Sequence, residues 1–146
     1  MIRPAEEDDI SRILEIEREA ISPPWSHGGL LGEIYSNDTF FALAVMEKTV
    51  LGFVILRCSA DESELYQIAV DASHRRRGIA DMLMKAAMDH SRSCGQLAIY
   101  LEVRKSNEAA MNLYKKHGFK KTGQRKGYYT EPTEDAVIMS LEIKER

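Results

Sequence analysis

The chain has 146 residues, of which 44% are hydrophobic and 29% charged, and this suits one globular domain with a proper core. Its net charge of −3 argues against a nucleic-acid-binding protein, which usually carries a basic excess. No apolar run has the length of a membrane span, and the first residues lack a signal-peptide pattern. We therefore expect a single domain over residues 1–146 that is cytoplasmic and a monomer or weak dimer, with no membrane or nucleic-acid partner.

The cysteines and histidines show no pattern of a metal site. Cys58 and Cys94 are lone cysteines without a CxxC pair, which fits a reducing compartment. None of the histidines has metal-ligand spacing: His27, His74, His90 and His117. We predict neither a structural nor a catalytic metal.

The first half of the chain predicts helices followed by strands. Residues 1–4 are a candidate edge strand, and residues 6–20 place apolar side chains at helical spacing behind an acidic first turn. Two prolines end that helix, and a weak second helix containing glycines is predicted at 28–37. An antiparallel meander of three strands then follows: 39–45, 50–58 and 64–70.

A crossover connection is predicted in the middle of the chain. A helix runs from Gly78 to Arg92 with Gly95 at its end, and an almost wholly apolar strand follows at 97–103. A strand, helix, strand unit of this length makes 64–70 and 97–103 parallel neighbours.

The last third predicts a short helix and two strands. Ser106-Asn107 caps a helix at 108–117 that ends at Gly118. A strand, a loop and a final strand complete the chain: 120–125, 126–133 and 135–141. The whole is an α+β domain on a mixed sheet.

A basic, glycine-containing turn precedes the helix that starts at Gly78. It reads Arg75-Arg76-Arg77-Gly78-Ile79-Ala80. Loop amides and a helix N-terminus can hold phosphate, arginine adds matching charge, and glycine allows close approach or a positive φ. A solvated basic face and a plain turn are the competing interpretations, and the hexapeptide alone leaves them open.

Glu102 and Tyr114 are the candidate proton-transfer residues. Glu102 is a carboxylate inside an otherwise apolar strand, which is costly unless the group is paired or faces solvent or a cavity. Tyr114 shares a helical stripe with Ala110 and Met111. A strand-end glutamate in solvent and a plain core tyrosine are the simpler interpretations, and the residues alone leave these open as well.

Several stretches resemble the Gcn5-related N-acetyltransferases (GNAT family). Residues 75–80 match the acetyl-CoA signature Arg/Gln-x-x-Gly-x-Gly/Ala of that family. Three further stretches are similar to patterns of its bacterial ribosomal-protein N-terminal alanine acetyltransferases (RimI type): Pro24-Trp25-Ser26, the run from Leu101 through Asn107 and Tyr114 to Phe119, and Tyr128-Tyr129 followed by Glu134-Asp135-Ala136-Val137-Ile138-Met139. The order of predicted elements matches the family fold over essentially the whole chain.

The resemblance implies a GNAT fold of about seven strands and about four helices, in which the parallel pair parts and acetyl-CoA enters the gap. It makes Glu102 the proton acceptor and Tyr114 the proton donor to the CoA sulfur. Trp25, Tyr128 and Tyr129 would line the acceptor pocket, with loop-anchoring packing as the equal alternative. The implied cofactor contacts are Ile68, Ala69, Val70, Arg75, Arg76, Arg77, Gly78, Ile79, Ala80, Asp81 and Asn107.

The activity that the resemblance implies is transfer of acetyl from acetyl-CoA to a protein N-terminal amine by direct attack. The implied acceptor is the N-terminal alanine of small-subunit ribosomal protein eighteen. An acetyltransferase for a lysine side chain or small amine stays open, as does a CoA-binding module without turnover. Ala80 in place of glycine and the glycines at 28–29 depart from the family pattern, and the latter leave the acceptor specificity open.

Overall fold

One seven-stranded mixed sheet organises the chain, and a computed structural model describes residues 1–21 and 24–143. The strands are β1 (Ile2–Pro4), β2 (Thr39–Met46), β3 (Thr49–Cys58), β4 (Glu62–Val70), β5 (Ala98–Arg104), β6 (Lys120–Tyr129) and β7 (Glu134–Glu142). The helices are α1 (Ile10–Ala20), α2 (His27–Tyr35), α3 (Ile79–Ser93) and α4 (Glu108–Lys116). The predicted α+β class is confirmed. None of the described helices combines the length and apolarity needed to cross a membrane.

The strand order is β1-β2-β3-β4-β5-β7-β6, and only β4 and β5 are parallel. The predicted meander and the predicted parallel pair are therefore both confirmed. Each face of the sheet buries its own apolar cluster. Side chains of α1 and α2 pack on one face, and side chains of α3 and α4 pack on the other.

The parallel pair parts halfway along its length. β4 pairs with β5 only from Glu62 to Leu65, and from there onward β4 pairs only with β3. Leu56 of β3 lies opposite Leu65 of β4, and Ile55 of β3 lies opposite Gln67 of β4. Tyr66 therefore has no residue opposite it in β3 and is an extra residue in β4. Such a bulge bends a strand and ends regular pairing. The bulge therefore opens a gap between the carboxyl ends of β4 and β5.

Two predicted boundaries were wrong. The predicted helix at 6–20 begins as a separate 3-10 turn at Glu7–Asp9, where the Asp9 carboxylate accepts the backbone N–H of Glu6 at 2.8 Å. The predicted loop at 126–133 is strand as far as Tyr129. Gly127 takes a φ of 62° and donates its N–H to Asp135 Oδ1 at 2.8 Å, so a bulge continues the strand.

The N-terminus of α2 also differs by a small amount from the prediction of 28–37. The Ser26 side chain accepts the N–H of Gly29 at 3.0 Å and starts the helix at His27. Asn107 caps α4 as predicted, since its side chain accepts the N–H of Ala110 at 3.1 Å.

Gly52 allows β3 to lie close to the end of β4 that borders the gap. A Cβ at Gly52 would lie 2.7 Å from the carbonyl oxygen of Ala69 and 3.3 Å from the Cα of Val70. Both are backbone atoms, which cannot move away from the Cβ as the end of a flexible side chain could. We expect Gly52→Ala to lower the free energy of unfolding by about 1–3 kcal/mol, as overpacking does, measured by urea unfolding.

Gly32→Ala is the matched control, because among the described residues only the chain neighbours and backbone of α2 itself can lie within 4 Å of the position its Cβ would take. Replacing a helical glycine by alanine should leave stability unchanged or raise it by up to about 1 kcal/mol. Equal effects of the two substitutions would refute the close approach of β3 to β4.

Candidate active site

A cleft with two chambers occupies the gap between β4 and β5. The first, the carboxylate chamber, has a volume of about 590 Å³ and is bordered by Glu102 and by aromatic side chains. The second, the arginine chamber, has a volume of about 550 Å³ and is bordered by the turn that precedes α3. Five residues border both chambers and mark their junction: Ala20, Ile68, Asn107, Ala110 and Tyr114.

The turn at residues 75–78 gives the arginine chamber its positive character. Arg75, Arg76 and Gly78 border the chamber, whereas Arg77 is exposed and is absent from its lining among the described residues. Arg76 and Gly78 have left-handed backbone angles, with φ of 63° and 77°. The N–H groups of the first turn of a helix have no partner inside the helix, so the start of α3 offers donors to an anion.

Asp81 is the one acidic group in this first turn, and its charge is neutralised. Lys116 Nζ lies 2.9 Å from Asp81 Oδ2, and His117 Nε2 lies 2.8 Å from Oδ1. These partners hold the pKa of Asp81 below its usual value. Only the backbone of Asp81 is therefore available to an anionic ligand, although the residue borders the chamber.

The end of β4 forms the floor that leads from the arginine chamber to the junction. Ile68, Ala69 and Val70 border the arginine chamber, and so does Ile79, whose side chain is buried. Asn107 uses its Oδ1 to cap α4, so the NH₂ group is the part of its amide that can reach a ligand.

Glu102 places a carboxylate in the first chamber. On β5, Leu101 and Val103 point into the α3/α4 cluster, so Glu102 between them faces the opposite side of the sheet. Its side chain is only 13% exposed, and its Oε2 has no hydrogen-bond partner among the described residues. The nearest cation is Arg125, whose Nε lies 3.6 Å away. A buried carboxylate oxygen that has an ion pair but no hydrogen bond is unusual, and it can accept a hydrogen bond from a donor ligand.

Tyr114 stands at the junction of the chambers. Its ring packs against Phe119 at 5.9 Å between centroids, and the residue is buried. Burial raises the pKa of Tyr114 above its ordinary value. The hydroxyl therefore stays protonated, and can donate a hydrogen bond, throughout the neutral range.

Aromatic side chains form the wall of the carboxylate chamber. Trp25 contacts Tyr66 edge-to-face at 5.7 Å, and Tyr128 contacts Tyr129 in the same manner at 5.1 Å. Burial, together with the charge of Glu102, raises the pKa of Tyr129 to about 12. Trp25, Tyr66, Tyr128 and Tyr129 pack in pairs and border the chamber at once, so packing and acceptor binding are compatible uses of the same side chains.

Arg104 is a site residue that the sequence analysis left without a role. It donates to the carbonyl oxygens of Thr130 at 2.7 Å and Pro132 at 2.8 Å, and it pairs with Glu134 at 3.3 Å. Its guanidinium also lies 4.6 Å from the centre of the Tyr129 ring. Arg104 thus ties the turn between β6 and β7 over the cleft. The sequence did carry a signal for Arg104, since the residue comes two positions after Glu102 and therefore lies on the same face of β5.

A second carboxylate lies on the same face as Glu102 and was also missed. Glu64 accepts a hydrogen bond from the Tyr100 hydroxyl at 3.1 Å. Burial, and to a lesser extent the charge of Glu102, raises the pKa of Glu64. Glu64 borders neither chamber among the described residues, but its charge adds to that of Glu102 on this face of the sheet.

Comparison with known proteins identifies the fold and the family. The model of the acetyltransferase (GNAT) family matches residues 10–119. The [ribosomal protein bS18]-alanine N-acetyltransferase of Haemophilus ducreyi is 36% identical over 147 residues, covering 97% of this chain and 99% of the relative.

Two solved structures share the fold. The ribosomal-protein-S18-alanine N-acetyltransferase of Escherichia coli superposes with a TM-score of 0.91 at 31% identity, over 100% of this chain and 95% of the other. The PaiA N-acetyltransferase of Thermoplasma acidophilum, solved with coenzyme A, has the same fold with a TM-score of 0.82 at 23% identity, over 97% and 98% of the two chains. The predicted resemblance to the RimI-type enzymes is confirmed, and the chain belongs to the acetyltransferase (GNAT) family of acyltransferases.

Proposed function

We propose that this chain transfers the acetyl group of acetyl-CoA to the α-amine of a protein N-terminus, and that the natural acceptor is the N-terminal alanine of ribosomal protein bS18. The observation that carries this is the meeting of the two chambers at Tyr114 and Asn107. A donor held in one chamber and an acceptor held in the other would bring their reacting ends together there. The names and the 36% identity of the bS18-alanine relatives support the acceptor.

The residues of the arginine chamber fit the cosubstrate. Acetyl-CoA supplies an activated acyl group as a thioester, and its diphosphate needs donors and positive charge. Arg75, Arg76 and the first N–H groups of α3 provide both. Ile68, Ala69 and Val70 would lie along the pantetheine arm, and the Asn107 amide would donate to it. The Thermoplasma structure solved with coenzyme A shows that this fold can hold the molecule.

Glu102 would take the proton of the incoming amine. An α-amine has a pKa near roughly 8 and a lysine amine near roughly 10.4. About a tenth of α-amines, but only a few in about ten thousand lysine amines, are neutral at pH 7. One carboxylate, directly or through water, is therefore sufficient for an N-terminal acceptor, and we assign this role to Glu102, whose buried Oε2 accepts no hydrogen bond from the described residues and has its ion-pair partner Arg125 3.6 Å away.

Tyr114 would act at the leaving sulfur. The amine nitrogen attacks the thioester carbonyl, the C–S bond breaks, and the sulfur leaves as a thiolate. An N-terminal ammonium group gives up two protons on becoming an amide; one reaches the sulfur and the other reaches solvent through Glu102. The protonated Tyr114 hydroxyl stabilises the developing thiolate and passes it the proton.

The proposed transfer involves no acyl-enzyme on a cysteine, because Cys58 and Cys94 border neither chamber among the described residues. The reaction would take place in the cytoplasm on a monomer or weak dimer, within one domain that spans the chain. Its partner is a protein N-terminus, not a nucleic acid or a membrane.

Acceptor preference is the test of the proposed function. We expect kcat/KM with a peptide that begins Ala to exceed, by at least about tenfold, that with a peptide of the same composition whose N-terminus is blocked and which carries a lysine. The reason is the larger neutral fraction of the α-amine. Mass spectrometry locates the acetyl group on each product.

Two results would contradict the proposal, and each selects a rival. Preference for the blocked lysine peptide would make the protein a side-chain acetyltransferase. Binding of acetyl-CoA without acetylation of any amine would make it a CoA-binding module.

A further inference from the structure

We propose that Cys58, His90 and Cys94 form a binding site for a zinc ion. Their Sγ, Nε2 and Sγ atoms are potential ligands, and one ligand atom from each of the three residues lies within 4.8 Å of those of the other two. Two thiolates and an imidazole are a ligand set that zinc favours, with solvent as the fourth ligand. This revises the sequence-based prediction of no structural metal.

The distances are close to those of a tetrahedral site. Zinc–sulfur bonds of about 2.3 Å and zinc–nitrogen bonds of about 2.0 Å place a sulfur and a nitrogen ligand about 3.5 Å apart. Cys94 Sγ lies 3.5 Å from His90 Nε2. Cys58 offers its Sγ within 4.8 Å of both, and the proposed site requires a thiol to turn inward by the remaining distance.

Two of the ligands are held in place by their own neighbours. The His90 ring stacks on Phe40 at 4.4 Å and 18° between planes, which fixes the direction of its nitrogens. The Cys58 N–H donates to the Asp38 carbonyl at 2.8 Å, and its Sγ lies 3.5 Å from the Ser63 hydroxyl. A ligand set restrained by surrounding contacts binds metal more tightly than a mobile one.

Sequence spacing could not reveal this site. His90 and Cys94 are four residues apart on α3 and share one helical face, whereas Cys58 comes from the end of β3. Folding brings the strand end beside the helix end. Cys94 is exposed, so an ion and its water ligand can enter from solvent.

The site lies away from the cleft. It adjoins the C-terminus of α3, whereas the arginine chamber adjoins the N-terminus, and a helix of 15 residues is roughly 20 Å long. The ion would clamp α3 to the sheet and take no part in acetyl transfer. Failure of the zinc site would therefore leave the proposed function untouched.

Cobalt(II) titration of the full-length protein, reduced with a phosphine and freed of metal, tests the proposal. We expect one equivalent to give the visible bands of tetrahedral cobalt together with thiolate charge-transfer absorption, and one equivalent of zinc to abolish them. Zinc should raise Tm, and the rise should grow with the logarithm of its free concentration above Kd. Acetyl transfer should change by less than about twofold, as expected of an ion outside the cleft.

Variants separate ligation from a general effect on folding. Cys94→Ser should lose the cobalt bands while keeping the metal-free Tm, because Cys94 is exposed. Cys94→His should keep tetrahedral bands with weaker charge transfer, which a merely structural cysteine would not do. His27→Gln, at an exposed histidine of α2, should behave as the parent.

Three outcomes would overturn the proposal. One is the absence of cobalt bands in the reduced parent protein. In the second, Cys94→Ser keeps the cobalt bands unchanged and His117→Gln loses them. That result would place the ion at Asp81 and His117. The third is ready disulfide formation between Cys58 and Cys94 in protein that binds no metal when reduced, which would make the pair a redox site.

Discussion

Glu102→Gln should lower kcat by about 100- to 10,000-fold, the range found for general acid–base residues. Glutamine has the shape of glutamate, but its amide cannot take a proton from the incoming amine. The residue borders the carboxylate chamber and not the arginine chamber, so the Kd for acetyl-CoA should stay within about twofold. Steady-state kinetics with an Ala-starting peptide and calorimetry with acetyl-CoA measure the two effects separately.

Glu64→Gln is the control for this substitution. Glu64 lies on the same face and has a comparable environment, but its Oε1 is already occupied by the Tyr100 hydroxyl. We expect a loss of less than about tenfold, through weaker attraction of the ammonium group. A collapse of acetyl-CoA binding in Glu102→Gln would instead assign that carboxylate a structural role.

Tyr114→Phe should lower kcat by about 100-fold, similar to the loss of one donor to a developing anion. The ring and its contact with Phe119 are retained, so the free energy of unfolding should change little. The KM for acetyl-CoA should also change little, because the hydroxyl acts on the thiolate that forms only as the C–S bond breaks. Tyr100→Phe is the control, because it removes the hydroxyl of a half-buried tyrosine that borders neither chamber among the described residues.

The pH profile gives a second test of Tyr114. Its pKa is raised by burial, so the hydroxyl loses its proton at a higher pH than the ordinary value of about 10. The hydroxyl is therefore protonated at low and neutral pH, and its contribution to kcat is lost only above that value, whereas the decline of activity at low pH belongs to Glu102 and the amine. A fall in kcat near pH 8 that disappears in Tyr114→Phe would contradict the assignment.

The sheet could be predicted from the sequence because each strand carries its own signal. Alternation, turn residues and the apolar run at 97–103 defined the meander and the parallel partner. Asn107, Gly95 and Gly118 marked helix ends, and the last two take the positive φ that favours glycine. These signals are local, because each comes from the residues that form the element it predicts.

The parting of the parallel pair could not be derived in this way. It depends on one extra residue, Tyr66, in the pairing of β3 with β4, and no periodicity shows which residue is left unpaired. The family resemblance supplied that expectation. Contacts between distant residues, such as Arg104 with Thr130 or Cys58 with Cys94, likewise exist only after folding.

The roles of Glu102, Tyr114 and the turn at 75–80 remain predictions, and one crystal structure with coenzyme A tests them together. We predict diphosphate oxygens within hydrogen-bond distance of the N–H groups that begin α3, and the sulfur at the junction beside Tyr114, facing Glu102. A diphosphate bound elsewhere with residues 75–80 free, or a sulfur remote from both side chains, would contradict the account.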